Sequence, residues 1–204
     1  MDNSTDTVSK LPLDRWFAGD AQFHQLYPLS VRDLSRRHWT PLKVAREAAQ
    51  FLVSEKGVRV LDIGSGVGKF CLSAAHDHPD AYFYGVEQRS DLVGHAEAAK
   101  NILGLPNVSF IHGNFTQLDL KQYDHFYFYN SFYENLDGTD KIDDNILYSE
   151  NLYNYYTHYL FRQLEKMPSG TRVVTLCSLE EEMPPSYHAL YCGPDNMLKF
   201  HIKE

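Results

Sequence analysis

The stretch VLDIGSGVGKF, residues 60 to 70, constrains the chain more than any other. A nearly continuous apolar run of strand length, VRVLDI (58–63), ends in three alternating glycines, Gly64, Gly66 and Gly68. Asp62 stands two residues ahead of the first of them. An unalternating apolar strand suits the centre of a parallel sheet, buried on both faces. Glycines just after it suit a tight turn where backbone approaches a ligand, because open α/β sheets bind ligands at the carboxyl ends of their strands.

The rest of the chain repeats that alternation of strand and helix. A helix is expected over 41–55, with Thr40 as cap and Pro41 in the first helical position, where its missing N–H is no loss. Leu42, Ala45, Ala49 and Leu52 share its apolar face. A helix then runs from about Gly66 to His76, a strand over 81–87, and a helix over 90–103 between Ser90 as cap and Gly104 as terminator. Strands follow at 108–113 and 124–130, a long helix from about Ser149 to Lys166, and a strand at 171–177. The C-terminal YHALYCGPDNMLKFHIK reads as a hairpin around GPDN. The expected fold is α/β: a doubly wound, mostly parallel seven-stranded sheet with a C-terminal antiparallel hairpin, in three α/β/α layers. At 204 residues one domain-sized core fits residues 40–204, with residues 1–39 forming a loose tail and a helical lid segment.

The ligand is narrowed by what the loop lacks. A phosphate-binding P-loop needs GxxxxGK[ST], but Phe70 follows Gly68-Lys69 and Ile63 stands where the first glycine belongs. A dinucleotide fold wants GxGxxG, whereas the spacing here is GxGxG, and Asp62 would repel a pyrophosphate. S-adenosylmethionine has no phosphate and carries an ammonium, a ribose diol and a sulfonium. Asp62 suits its cationic end, Gly64 and Gly66 let backbone pass its methionine and ribose, and Glu87 at the end of the second strand can accept both ribose hydroxyls. Asn114 can meet the adenine amino group and Phe115 can pack on the ring.

DIGSGVG with GVE downstream resembles the first two motifs of the class I (seven-strand, Rossmann-like) S-adenosylmethionine-dependent methyltransferases. The resemblance runs from about Thr40 to the C-terminus and implies S-adenosylmethionine as cofactor, S-adenosylhomocysteine as product, and a cofactor shell completed by Ser65, Gln88, Asn130 and Thr40. The segment Asn130-Ser131-Phe132-Tyr133 is similar to the [ND]PP[YF] motif of amino-methylating enzymes, matching at Asn130 and Tyr133 and departing from it at both prolines. It implies Asn130 and Tyr133 as catalytic residues and a nitrogen acceptor. DIGSGVGKF, GVEQ, FYNSF and SGTRVVT together are loosely similar to the non-SET, seven-strand protein-lysine methyltransferases.

An amine must be neutral to accept a methyl group, so a base or desolvating pocket is needed, with Tyr133, Glu134 and Tyr129 as candidates by position. Alternation along the fourth strand places Tyr127 and Tyr129 on one face and Phe128 on the other. The acidic stretch 134–150 suits a cationic acceptor such as a lysine side chain or other amine, though a solvated loop has the same composition. Net charge is −8, which argues against nucleic acid as a partner, although Asn130 and Tyr133 leave a nucleic-acid methyltransferase as an alternative; the cluster Arg32, Arg36, Arg37 reads as a solvated helix face or a phosphate contact. Three scattered cysteines fit thiols in a reducing cytoplasm, with no metal site expected and neither a secretory signal nor a membrane span. A small-molecule O- or C-methyltransferase, or a cofactor-binding module without turnover, are the alternatives.

Overall fold

The computed structural model describes residues 12–178, 182–192 and 197–204. The expected N-terminal tail and the GPDN turn fall outside those residues. Strands β1 (Arg59–Ile63), β2 (Tyr82–Glu87), β3 (Val108–His112), β4 (His125–Tyr129), β5 (Arg172–Leu176), β6 (Tyr187–Cys192) and β7 (Leu198–Lys203) form one sheet in the order β3-β2-β1-β4-β5-β7-β6. The first five pair in parallel, while β7 is antiparallel to both β5 and β6. From β1 the chain moves outward to β3 and returns to β4 on the other side of β1, so a crevice opens at the carboxyl ends of β1 and β4.

Short helical turns α1 (Leu13–Trp16), α2 (Asp20–Phe23) and α3 (Leu29–Arg32) precede the longer helices α4 (Leu42–Leu52), α5 (Lys69–Asp77), α6 (Ser90–Leu103) and α7 (Glu150–Glu165). One face of the sheet packs under α4, α5 and α6, with Val60, Phe83, Tyr127 and Val174 in its core. Leu61, Ile63, Phe126 and Phe128 point to the other face, beneath Tyr156, Leu160 and Leu164 of α7. Alternation along β4 runs as the sequence requires: Tyr127 stacks on Phe70 of α5 at 3.9 Å, while Phe128 packs on Phe132 at 4.8 Å on the opposite side. No helix among the described residues is long and apolar enough to cross a membrane.

Helix ends differ from expectation where a distant partner takes the capping group. Thr40 does not cap α4; its hydroxyl bonds the buried Tyr127 hydroxyl at 3.0 Å, and Pro41 is the cap residue rather than the first helical one. The Leu42 N–H donates instead to Asp20 Oδ1 at 3.0 Å. Ser90 makes no side-chain cap either, whereas Ser149 accepts from the Leu152 N–H and Gly104 ends α6 at φ 65°. Helix α5 starts at Lys69, three residues late, because Gly66 and Gly68 hold φ of 54° and 81°, outside the helical region.

The N-terminal segment shares the core of the sheet domain. Trp16, Phe23, Tyr27 and Val31 pack in the same cluster as Trp39, Val67 and Phe70. Lys69, only 3% exposed, is the ionic pin: its ammonium meets Asp20 Oδ1 at 2.5 Å and His24 Nε2 at 3.1 Å, near the rings of Phe23 and Trp39. Asp20→Ala therefore leaves a buried ammonium without its carboxylate and uncaps α4. It should cost about 2–4 kcal/mol in urea denaturation, against under about 1 kcal/mol for Asp14→Ala, whose carboxylate is exposed.

Candidate functional site

The loop after β1 is shaped by contact with the end of β4. A Cβ at Gly64, where φ is 76°, would stand 2.5 Å from Ser131 Oγ. That hydroxyl donates to the Ile63 carbonyl at 2.5 Å, drawing the two strand ends together. Gly66 faces open space, with nothing within 4 Å of a built Cβ, and its N–H donates to Glu87 Oε2 at 3.1 Å. Gly68 serves packing instead, since a Cβ there would strike Phe110 at 2.4 Å; its absence lets α5 and the sheet approach.

Above this junction lies a cleft of about 330 Å³. It gathers Gly64, Gly66, Glu87, Gln88, Phe115, Asn130 and Tyr133 from four strand ends. Asp62, Ser65 and Thr40 line instead a polar pocket of about 30 Å³ behind the loop, which shares Gly64, His38 and Tyr129 with the cleft. Asn114 lines neither. Its amide donates to the Tyr156 hydroxyl (2.9 Å) and Gln88 Oε1 (3.3 Å), and its Oδ1 caps the turn at Thr116, so it positions Gln88 rather than facing a ligand. Phe115 stacks on Phe132 with centroids 5.1 Å apart.

The two pockets fit an elongated ligand with a cationic end. Asp62 is buried and its pKa is pushed up to about 8, first by burial and further by the charge of Glu87, against a bond from the Cys71 thiol. In the absence of a ligand it is therefore largely neutral at pH 7; an ammonium beside it would favour its ionised form. Ser65 Oγ is buried there without a hydrogen-bond partner among the described residues. Glu87 sits at the mouth with one oxygen on the Gly66 N–H and the other on the Arg89 N–H at 3.0 Å, within reach of a diol. Burial raises its pKa and the Arg89 contacts oppose that shift.

Asn130 ends β4 with φ at 47°, a left-handed conformation that asparagine tolerates better than most residues. Its Oδ1 is buried without a partner among the described residues. Backbone strain combined with an unsatisfied acceptor is a mark of a functional position. The base candidates are differently placed. Glu134 is held through one oxygen: Arg89, Tyr148 and the Ile142 N–H all converge on its Oε2. Tyr129 donates its hydroxyl to the Arg37 carbonyl at 2.9 Å, and burial raises its pKa. Tyr133 lines the cleft with its ring edge-on to Tyr153. Sequence reasoning missed His38, which borders both pockets; burial lowers its pKa, with Glu134 opposing and Arg89 adding to the shift. Nothing in the run RRHW distinguishes it. Arg89 was also missed, although a cation two residues past the strand-end acid was a usable signal.

A sequence profile of the methyltransferase domain matches residues 54–192. Among curated proteins, a tRNA (guanine-N(7)-)-methyltransferase of Synechococcus sp. (strain JA-3-3Ab) is 52% identical over 54 residues, 26% of this chain and 23% of that protein. Its counterpart from Synechocystis sp. is 46% identical over 54 residues, 26% of each chain. The chain thus spans about a quarter of the length of the curated relatives it matches. Among solved structures, an RNA methyltransferase from Salinibacter ruber in complex with S-adenosyl-L-homocysteine superposes with a TM-score of 0.53 at 20% identity, over 81% of this chain and 92% of that one. TrmN from Thermus thermophilus gives 0.58 at 19%, over 84% and 51%. These two likenesses bear on the fold. The expectation against nucleic acid is overturned by the curated relatives, which are named for tRNA. Net charge was a poor guide because it sums the whole chain, while Arg37 lines the cleft and Arg36 is exposed one residue before it.

Substitutions in the loop should separate its structural and ligand-facing glycines. Gly64→Ala should cost about 2–4 kcal/mol of stability, from strain and the Ser131 clash, whereas Gly66→Ala should cost about 1 kcal/mol yet hinder ligand entry. Urea denaturation and calorimetric titration tell the two effects apart. Asp62, raised in the folded state, makes the ligand-free protein lose stability as pH rises from about 4 to 8, because the unfolded chain ionises first. Asp62→Asn should flatten that slope, as read by melting temperature against pH.

Proposed function

The chain belongs to the methyltransferase-domain family, and on that premise we propose that it transfers a methyl group from S-adenosylmethionine to a nitrogen of an RNA base, with tRNA as the foremost candidate. The observation that carries this reading is Asn130: a buried Oδ1 without a partner among the described residues, on strained backbone at the β4 end of the cleft. S-adenosylmethionine supplies a methyl group on a sulfonium, which leaves by in-line displacement. The protein then contributes position and field rather than covalent chemistry. Glu87 holds the ribose hydroxyls, Asp62 and Ser65 meet the ammonium end, and Phe115 packs on the adenine. Asn130 orients the acceptor through its amide, with Tyr133 as a wall for a planar base.

The tRNA relatives support this choice of acceptor, and a guanine N7 carries a lone pair and no proton. Methylation there needs no base, which suits a cleft whose Glu134 is held by Arg89. A second reading rests on the charge of the rim: Glu87, Glu134 and Asp140 outnumber Arg37 and Arg89, which favours a cationic acceptor such as a lysine side chain or other amine. In that case His38 is the neutral group placed to take the proton.

Labelled S-adenosylmethionine incubated with unmodified tRNA transcripts and, separately, with polyamines and basic peptides decides between them. Label on a tRNA base supports the first reading; label in amines alone overturns it. Asn130→Ala should lower kcat about tenfold or more while the cofactor Kd moves less than about threefold. The reverse pattern would place Asn130 in the cofactor shell only.

A further inference from the structure

The segment following β4 doubles back over the mouth of the cleft, and one guanidinium holds it there. Arg89 lies between the end of β2 and α6 with its side chain 5% exposed. Its Nη2 meets Glu134 Oε2 at 2.5 Å and the Tyr148 hydroxyl at 2.7 Å, and its Nε meets Asp143 Oδ2 at 3.1 Å. All three belong to the stretch 133–148, whose Ile142, Ile146, Leu147 and Tyr148 line the cleft. A further ionic tie of this stretch, Arg37 to Asp140, is exposed on both sides and contributes little through a screened pair. Without Arg89, the partly buried carboxylate of Glu134 would face that of Asp143 and the charge of Glu87 with no cation between them.

The same arginine also touches the opposite bank. Its backbone N–H and, at 3.5 Å, its Nη1 approach Glu87 Oε1, while Glu87 Oε2 holds the glycine loop. The longest of the Arg89 contacts is therefore the one to the carboxylate expected to bind the ribose. Hydroxyls taking up Glu87 Oε1 would release Nη1 from that contact and leave the guanidinium to the loop. We propose that Arg89 is a positioning residue that couples occupancy of Glu87 by the cofactor to closure of residues 133–148 over the acceptor. The coupling rests on the cleft being the cofactor site.

Lys141 is the one basic residue within 133–148 and is exposed, so trypsin reports on the loop. Cleavage at Lys141 is measured with and without saturating S-adenosylhomocysteine, with calorimetry on the same samples. In the wild-type protein the ligand should slow cleavage about tenfold. In Arg89→Gln, and in Asp143→Asn, which leaves the Glu87 contacts in place, bound ligand should slow it less than about twofold. Melting curves show whether each variant is folded, and Asp143→Asn carries the test if Arg89→Gln is not. A merely structural arginine would raise cleavage with and without ligand alike, leaving the ratio unchanged. That result, or an unprotected Lys141 in wild-type protein to which the ligand is bound, overturns the coupling. Absence of binding to the wild-type protein overturns instead the cofactor reading, and the coupling with it.

Discussion

The structure depends on how closely the carboxyl ends of β1 and β4 approach each other. Ser131 reaches across to the Ile63 carbonyl, and only a residue without a Cβ at position 64 leaves room for it. This contact closes the bottom of the crevice that the strand order opens. Next to it, Asn130 stands in a left-handed conformation, with φ at 47°. The glycine loop and the Asn130 amide thus meet at one junction, and the Gly66 N–H ties that loop to Glu87 at the end of β2.

Around that junction the chain accumulates buried and partly buried acid. Asp62 lies behind the loop, Glu87 beside it, and Glu134 and Asp143 above it, with Arg89 as the cation that the last three share. Such an excess of carboxylate raises the free energy of the empty protein and favours a ligand that brings positive charge. The ammonium and sulfonium of S-adenosylmethionine have that character, and so does a purine ring made cationic by methylation at N7. An acidic site and the proposed RNA acceptor are therefore compatible, because the field would act on the charge at the reacting atoms and not on phosphates held outside the cleft.

Much of this was legible in the sequence because it rests on local pattern. The apolar run of β1, its glycines and the alternation of Tyr127, Phe128 and Tyr129 each follow from chain geometry over a few residues. What could not be read depended on partners far along the chain. Thr40 has the chemistry of a helix cap, yet its hydroxyl goes to Tyr127, 87 residues away. Asn114 stands where an adenine contact belongs, but Tyr156 and Gln88 take its amide. Glu134 has a base's position, yet Arg89, Tyr148 and the Ile142 N–H all gather on its Oε2. His38 gains its place from the packing of the N-terminal segment around Trp39 and Lys69, which no local motif announces. The expectation against nucleic acid failed for a related reason, since total charge carries no information about which face a partner meets.

A cofactor lying in the crevice between β1, β2 and β4 would have Glu87 as its ribose anchor. That placement is decided by calorimetric titration of S-adenosylhomocysteine into the wild-type protein and into Glu87→Gln. Loss of hydrogen bonds to a charged group predicts a Kd raised about 10- to 100-fold in the variant, with its melting temperature close to wild type. Equal affinity in the two proteins would refute the placement, and would move the ligand away from the end of β2.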